Sequence, residues 1–194
     1  RFVTLWRLFL EQSICCGEEC PQRFFYLGVN MMFHLFKRKE SCKEVPIYAI
    51  ANGTLADLEE VEDITFSEKL LGDGVAFQYE GDIIYAPCAG EVILVSATRH
   101  AIGIQAENGA ELMVHCGLET VNLQGKGLTP LVKAGEKVKK GTPILSIDRD
   151  FMREKEISLI TPVIITNGDG YELVNRRERG KVTTEDIVCV VSKS

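Results

Sequence analysis

An Asn-Gly pair at positions 108 and 109 constrains this chain of 194 residues more than any other local feature. Asn-Gly between two apolar runs is the strongest short-range signal for a β-hairpin, because both residues tolerate the backbone angles of a tight turn. The run from Ile102 to Leu112 therefore predicts a hairpin with a two-residue turn. His100 precedes Asn108 by eight residues (108 − 100), and His115 follows Gly109 by six (115 − 109). We expect both imidazoles to lie near the open end of the same ribbon.

The second histidine of this pair, His115, ends the apolar, strand-like run Met113–Val114, and Gly117 breaks that run. A single histidine near the end of a strand is usually a surface or core residue with an ordinary role. The chain has three histidines, and the convergence of two of them on one hairpin end favours a functional pair instead.

The charge balance excludes several classes of partner. Lys and Arg number 22 and Asp and Glu number 28, which gives a formal net charge of −6. An acidic chain without a basic cluster is not typical of a protein that binds nucleic acid or an anionic membrane surface. No apolar run approaches the roughly 20 residues that span a bilayer. We therefore expect a cytoplasmic protein.

The seven cysteines are irregularly spaced and odd in number, which does not indicate a disulfide framework. Reduced thiols in a cytosolic protein explain them more simply. Cys15, Cys16 and Cys20 lie close together, but no second Cys or His pair follows at the spacing of a zinc site.

Many short apolar runs separated by glycine turns predict an all-β fold, an antiparallel β-sandwich or barrel with short helical turns. No βαβ alternation and no Gly-rich phosphate loop is present. Besides the hairpin, the predicted strands cover residues 45–50, 55–61, 75–79, 83–85, 91–97, 128–132, 143–147, 163–166 and 186–191. A helical turn is predicted over residues 66–71 and a two-turn helix over residues 150–157.

The β signals begin near Val45, so residues 45–194 are expected to form the domain, with a C-terminal tail, and residues 1–44 an N-terminal extension. The adjacent methionines Met31 and Met32 suggest the hypothesis that the native protein begins at one of them.

Five segments, in order and at matching separations, resemble the glucose-family enzyme IIA component of the bacterial sugar phosphotransferase system. The segments are Leu70–Ala76 (LLGDGVA), Ala86–Gly90 (APCAG), Thr98–Ala101 (TRHA), Met113–Val121 (MVHCGLETV) and Thr161–Val163 (TPV). The resemblance extends from about Val45 to about Leu173. It implies the family's antiparallel β-sandwich, a duplicated hybrid motif.

The resemblance also implies roles for three residues. His115 would be phosphorylated by the histidine-containing phosphocarrier protein and would pass the phosphoryl group to a cysteine of the IIB domain of a sugar permease. His100 would assist without being phosphorylated, and Thr98 would help to hold the pair. The residues agree with this chemistry, since a neutral imidazole is nucleophilic and an ordinary histidine is mostly neutral at cytosolic pH. No cofactor is implied, and contact with the membrane would be through the permease alone.

A docking face is the other feature that the resemblance implies. It would present exposed apolar residues to both partners, with acidic residues at its rim facing the basic donor. The apolar positions are Phe66, Leu70, Leu71, Met113 and Val121, and the acidic ones are Asp63 and Glu119. Each apolar residue could equally be part of the core. For each acidic residue taken alone, a solvated charge is the simpler interpretation.

Three other readings of the chain remain open. The segment Val132–Pro143 resembles the hairpin of biotinyl and lipoyl carrier domains, although no characteristic motif flanks its lysines. A lysostaphin-type zinc peptidase has a related β topology, but it needs an HxH motif, and His115 is followed by Cys116 and Gly117. Finally, His100 and His115 could share a zinc ion in trans with a carboxylate of a partner, as in some members of the resembled family.

Overall fold

The structure of the protein is a computed structural model that describes residues 44–194. The predictions for Met31, Met32 and the cysteines at 15, 16 and 20 lie outside the described residues. The first strand begins at Glu44, one residue before the predicted start of the domain.

Short strands dominate the part of the chain that the structure describes. The strands are β1 Glu44–Tyr48, β2 Gly53–Ala56, β3 Gly74–Tyr79, β4 Ile83–Tyr85, β5 Gly90–Val95, β6 Ala101–Ala106, β7 Glu111–His115, β8 Leu128–Pro130, β9 Lys137–Val138, β10 Pro143–Ile147, β11 Thr161–Ile165, β12 Tyr171–Val174, β13 Gly180–Val182 and β14 Ile187–Lys193. The α-helices are α1 Ile64–Ser67 and α2 Arg149–Glu154, and 3-10 turns cover Leu58–Glu60, Thr120–Leu123 and Gly168–Gly170. No helix among residues 44–194 combines the length and the apolar character needed to cross a membrane.

The strands form three antiparallel sheets. The largest has eight strands in the order β13-β2-β3-β11-β7-β6-β5-β9, and the two others have the orders β1-β14-β12 and β4-β10-β8. Every strand pair within residues 44–194 is antiparallel. The all-β antiparallel prediction is confirmed as packed open sheets, and the described strands do not close into a barrel.

The eight-stranded sheet separates two hydrophobic clusters because successive side chains of a strand point to opposite faces. Ile102, Leu112 and Val114 face the main core. Met113 points the other way and packs against a smaller cluster that includes Phe66 of α1. His115 is two residues beyond Met113, so it shares the face that α1 covers.

The central hairpin has a longer loop than the sequence predicted. Gln105 pairs with Glu111, and the Ala106 N–H donates to the Ala110 carbonyl at 2.8 Å, which leaves Glu107, Asn108 and Gly109 in the loop. The prediction of a two-residue turn was therefore wrong.

The longer loop is stabilised by Asn108, which is a turn residue whose buried side chain also forms two hydrogen bonds. Its side chain accepts a hydrogen bond from the Ala110 N–H at 3.1 Å and donates to the Val191 carbonyl at 3.1 Å. Gly109 supplies the left-handed turn, with φ of +92°. A three-residue loop shifts the register by one residue and places Ala101, rather than Ile102, opposite His115.

Several element boundaries also differ from the sequence predictions. The second strand ends at Ala56, and a 3-10 turn replaces its predicted second half. The helical turn α1 begins at Ile64 because Asp63 caps it, accepting a hydrogen bond from the Thr65 N–H at 2.8 Å. Strands β9, β12 and β13 were not predicted, since each has two to four residues and too little alternation to be recognised.

Candidate functional site

The imidazoles of His100 and His115 lie side by side at the open end of the hairpin. Their ring centroids are 4.8 Å apart, and the ring planes are inclined by 68°. His115 is the last residue of β7, and His100 directly precedes β6. Ala101 pairs with His115, and the Cys116 N–H donates to the His100 carbonyl at 2.7 Å. The backbone of a rigid sheet therefore fixes the pair that the sequence predicted.

The tautomer of His115 follows from one hydrogen bond. Its Nδ1 atom lies 3.0 Å from the carbonyl oxygen of Gly117. A carbonyl oxygen can only accept, so Nδ1 carries the proton and donates. The Nε2 atom of neutral His115 therefore holds a free lone pair, which makes it the nucleophilic atom of the ring.

His100 is oriented by hydroxyl groups of the turn between β5 and β6. Its Nδ1 atom lies 2.6 Å from Thr98 Oγ1 and 3.3 Å from Ser96 Oγ. When the Thr98 hydroxyl donates to Nδ1, the proton of His100 resides on Nε2. Ser96 also accepts from the Ala101 N–H at 3.0 Å, which holds the turn to the start of β6. Thr98 was predicted from the sequence as part of the site, whereas the contact of Ser96 with His100 was not, because nearness in the chain was its only signal.

The surroundings of both rings favour the neutral imidazole. Burial lowers the pKa of His100 below the ordinary value. Burial also lowers the pKa of His115, and the neighbouring His100 lowers it further. The hydrogen bond to Gly117 and the charge of Asp63 act in the opposite direction on the pKa of His115 without reversing the shift. The nucleophilic form of His115 is therefore favoured at neutral pH.

Phe66 lies beneath the site rather than on its surface. Its side chain is only 3% exposed, and its ring packs edge-on against His115 with centroids 5.0 Å apart. Of the two readings of Phe66 that the sequence left open, the core reading is confirmed and the exposed-patch reading is wrong. The reason is that α1 turns Phe66 inward, onto the cluster behind Met113.

The other apolar residues of the predicted docking face are not buried in the core. Leu70, Leu71 and Val121 are exposed, and Leu70 reaches 68% exposure, while Met113 is half-buried. Sequence reasoning missed Ile64, which is 70% exposed on α1. The signal for it was its position one residue after the Asp63 cap, where an apolar side chain of the first turn can point to solvent.

The outer face of β5 continues this apolar character. Ile93 and Leu94 are both exposed because a β-bulge between Val92 and Leu94 interrupts the alternation of the strand. Leu94 pairs with Gly103, and Gly103 in turn pairs with Met113, next to His115. Sequence reasoning missed this pair, since the bulge leaves no sequence signal.

The two acidic residues predicted at the rim have different settings. Asp63 is half-buried and caps α1. Glu119 is exposed, with φ of +54°, directly before the 3-10 turn that begins at Thr120. Asp63 is three residues before Phe66, whose ring packs on His115, and Glu119 is two residues after Gly117, which contacts His115.

A metal site would need ligands beyond this pair. Zinc in proteins takes four ligands, or three and a water, and His100 and His115 supply two nitrogen ligands. Within residues 44–194, no three His, Cys, Asp or Glu side chains are grouped so as to hold a metal ion. Sharing of zinc in trans stays a prediction. Cys116 is buried next to His115, and burial raises the pKa of its thiol to about 12.

The fold and the site together define this protein as an antiparallel β-sandwich with a pair of adjacent histidines at the edge of a sheet. Comparison with known proteins identifies its family. The family described as phosphoenolpyruvate-dependent sugar phosphotransferase system, EIIA 1, matches residues 45–171. The chain belongs to this family.

Relatives from several bacteria agree with the assignment. The glucose-specific EIIA component of Halalkalibacterium halodurans is 47% identical over 129 residues, which cover 66% of this chain and 75% of the relative. That of Oceanobacillus iheyensis is 44% identical over 154 residues, covering 79% and 93%. The glucose-specific EIICBA component of Staphylococcus carnosus is 41% identical over 75% of this chain, but over 21% of its own length. Among solved structures, the glucose permease IIA from Mycoplasma capricolum superposes with a TM-score of 0.71 at 34% identity, covering 77% of this chain and 96% of that chain.

Proposed function

We propose that this protein is a phosphocarrier that accepts a phosphoryl group on Nε2 of His115 from the histidine-containing phosphocarrier protein. It then passes the group to a cysteine of the IIB domain of a sugar permease. Family membership supports the reaction class. The observation that carries the proposal is the hydrogen bond from Nδ1 of His115 to the Gly117 carbonyl, which leaves Nε2 as the free nucleophile.

In each of the two transfer steps, one bond to phosphorus forms and one bond to phosphorus breaks. The lone pair of Nε2 attacks the phosphorus atom of the donor's phosphohistidine, and the donor's N–P bond breaks as its imidazole leaves. In the second step the thiolate of the IIB cysteine attacks the same phosphorus atom, and the Nε2–P bond breaks. The proton stays on Nδ1 throughout and remains hydrogen-bonded to the Gly117 carbonyl, so His115 returns to its starting tautomer.

His100 is placed to stabilise the charge that develops on the phosphoryl oxygens. Phosphoryl transfer depends mainly on positioning and on electrostatic support of that charge. With Thr98 donating to Nδ1, the Nε2–H of His100 is available as a hydrogen-bond donor beside His115, whose ring is 4.8 Å away. His100 thus assists without becoming phosphorylated.

The docking face of the proposal consists of the apolar residues Ile64, Leu70, Leu71, Met113 and Val121, with Leu94 as an extension. Phe66 contributes from below by holding the His115 ring. Apolar surface at the centre of an interface with charges at its rim is the usual arrangement of a transient contact. Asp63 and Glu119 provide negative charge for a basic donor.

The relatives support the identity of the acceptor. Those named above are glucose-specific components, which supports a glucose permease as the source of the IIB domain. The name of the S. carnosus relative joins C, B and A components, which supports direct contact between an A and a B unit. The proposed reaction partners support a cytoplasmic location, at the inner side of the membrane that holds the permease.

The test is reconstitution with phosphoenolpyruvate, enzyme I and the phosphocarrier protein. We expect an acid-labile phosphoryl label on this protein, abolished by His115→Ala and retained by His100→Ala, which then transfers it poorly to IIB. A label that survives His115→Ala would contradict the assignment of the acceptor. A biotinyl or lipoyl module would instead give a signal in streptavidin or anti-lipoate blots.

A further inference from the structure

The peptide group that orients His115 is held in a tight space. Gly117 has φ of +69°, and a Cβ atom at this position would lie 2.8 Å from the Ser158 carbonyl oxygen and 2.8 Å from Thr120 Cγ2. Glycine is the residue that adopts this left-handed backbone without strain and fits the space. The Gly117 carbonyl is therefore aimed by its surroundings.

The backbone around Gly117 is almost fully paired by groups other than His115. The Cys116 carbonyl accepts from the Thr120 hydroxyl at 2.7 Å, and the Leu118 N–H donates to the Ser158 carbonyl at 2.9 Å. The Gly117 N–H donates to the hydroxyl of Thr161 at 3.4 Å. The Gly117 carbonyl is left for the Nδ1–H of His115.

The hydroxyl of Thr161 is saturated by its partners. It donates its single hydrogen to the Leu159 carbonyl at 3.0 Å. Its oxygen therefore accepts from the Gly117 N–H and from the Tyr79 hydroxyl, which lies 3.1 Å away. Thr161 is fully buried and Tyr79 is 7% exposed, so both groups lie in the interior of the protein.

We infer that Thr161, with Tyr79 behind it, is a positioning residue that fixes the tautomer of His115 through the backbone of Gly117. The contacts run from Tyr79 on β3 to Thr161 on β11 and to the Gly117 N–H, which belongs to the peptide group between Cys116 and Gly117. The Gly117 carbonyl, which contacts His115, belongs to the next peptide group, and the two groups are joined at the Gly117 Cα. The role of these contacts in catalysis rests on the proposed function, whereas their effect on the tautomer of His115 does not. Neither Tyr79 nor Thr161 touches the reacting atoms.

Loss of the Thr161 hydroxyl leaves the buried Gly117 N–H without its partner and removes one of the partners of the Tyr79 hydroxyl, which also contacts the Cys116 thiol. Unpaired buried donors are costly, and the backbone of a glycine rotates about its Cα more easily than that of other residues. Rotation at Gly117 in response to the unpaired N–H also moves the Gly117 carbonyl away from Nδ1 of His115. The ring then also populates the tautomer with the proton on Nε2, in which the nucleophilic lone pair is blocked.

The test reads the ring directly by ¹⁵N NMR of labelled, full-length protein at about pH 8, where an ordinary histidine with a pKa of about 6.5 is neutral. In the unmodified protein we expect one protonated and one bare ring nitrogen on His115, with well-separated shifts. Thr161→Val, which keeps the size of the side chain, should draw the two shifts together. Thr161→Ser should restore the separation of the two shifts. Tyr79→Phe should reduce that separation, but by less than Thr161→Val does.

Thr166→Val is the matched control. Thr166 is exposed on the segment after β11, and its hydroxyl donates to the Glu111 carbonyl at 3.3 Å without contact to Gly117. The ¹⁵N shifts of the His115 ring in Thr166→Val should match those in the unmodified protein. A His115 ring that keeps its tautomer in Thr161→Val, or in Tyr79→Phe should the valine variant not fold, would overturn the inference.

A second readout separates this inference from the proposed function. The rate at which His115 accepts phosphoryl groups should fall by about tenfold or more in Thr161→Val, because small displacements of a reacting group have large effects on rate. The serine variant should recover most of that rate. If the unmodified protein takes no label while the tautomer still responds to Thr161, the proposed function fails and the positioning role stands.

Discussion

Nδ1 of His115 lies 3.0 Å from the carbonyl oxygen of Gly117, two residues further along the chain. This contact joins the end of a strand to the turn that follows it, so the sheet and the turn together orient the ring. Since the carbonyl can only accept, the contact also decides which ring nitrogen is protonated. The proposed chemistry of the site depends on this geometry.

Replacement of Gly117 by alanine should destabilise the protein and disturb the His115 ring. The residue has a positive φ, and the new Cβ would meet the Ser158 carbonyl oxygen and Thr120 at 2.8 Å. We expect a loss in the free energy of unfolding well above the roughly 1 kcal/mol that a positive φ alone costs. Urea unfolding followed by circular dichroism measures it.

Gly135→Ala is the control for this comparison. Gly135 also has a positive φ, of +84°, but a Cβ there would have no neighbour within 4 Å. Its destabilisation reports the backbone strain alone. Equal losses at Gly117 and Gly135 would mean that close packing around Gly117 contributes nothing.

Stability should rise with pH through the histidine range. The pKa values of His100 and His115 are lowered in the folded protein, mainly by burial, so the unfolded chain binds more protons just below the ordinary histidine pKa of about 6.5. The stabilising effect of the neutral rings is complete above that value and declines as the pH falls through it. Denaturant midpoints measured between about pH 5 and pH 8 test this dependence.

A His115→Gln variant should flatten the rise in stability across this range. Asp186 provides an internal contrast, because hydrogen bonds from Thr183 and Arg177 lower the pKa of this carboxyl to about 2. Its contribution is lost only at much more acidic pH. A slope that is identical with and without His115 would contradict the burial of that ring.

Phe66→Ala and Leu70→Ala should separate folding from docking. Phe66 is buried against His115, and its truncation should lower the free energy of unfolding by about 3–5 kcal/mol. Leu70 is largely exposed, so its truncation should change stability by less than about 0.5 kcal/mol. Binding of the phosphocarrier protein, measured by titration calorimetry, should weaken in Leu70→Ala. Unchanged binding there would remove Leu70 from the docking face.

Thr98→Val should slow the release of the phosphoryl group without unfolding the protein. The variant loses the 2.6 Å hydrogen bond that orients His100, and we expect transfer from His115 to IIB to slow by about tenfold. Thr98→Ser keeps the hydroxyl and should transfer at nearly the original rate. Equal rates in the valine and serine variants would show that the hydroxyl has no part in positioning His100.

The sequence predicted the elements whose signals are local. Asn108 and Gly109 indicated the hairpin, and that hairpin brought His100 and His115 together as expected. The exact register escaped prediction, because it depends on the contact of the Asn108 side chain with Val191, which is distant in the chain. The burial of Phe66 escaped it for a similar reason, since a short helical turn does not reveal which of its sides meets the sheet.

The contacts that Tyr79 and Thr161 make behind the site could not be predicted from the sequence. Tyr79 and Thr161 belong to strands that are far apart in the chain, and although Thr161 lies in one of the five segments that resemble the family, no local pattern pairs it with Tyr79. They meet because β3 and β11 are neighbours in the eight-stranded sheet. Strand order, which short strands do not encode locally, is therefore what completes the site.

All of the proposed chemistry requires that His115 carries the phosphoryl group on Nε2. NMR of the protein after phosphorylation by phosphoenolpyruvate, enzyme I and the phosphocarrier protein identifies the phosphorylated atom. We expect a phosphorus coupling to Nε2 of His115 alone, with Nδ1 still protonated. A phosphoryl group on Nδ1 of His115, on His100, or on any other residue would contradict it.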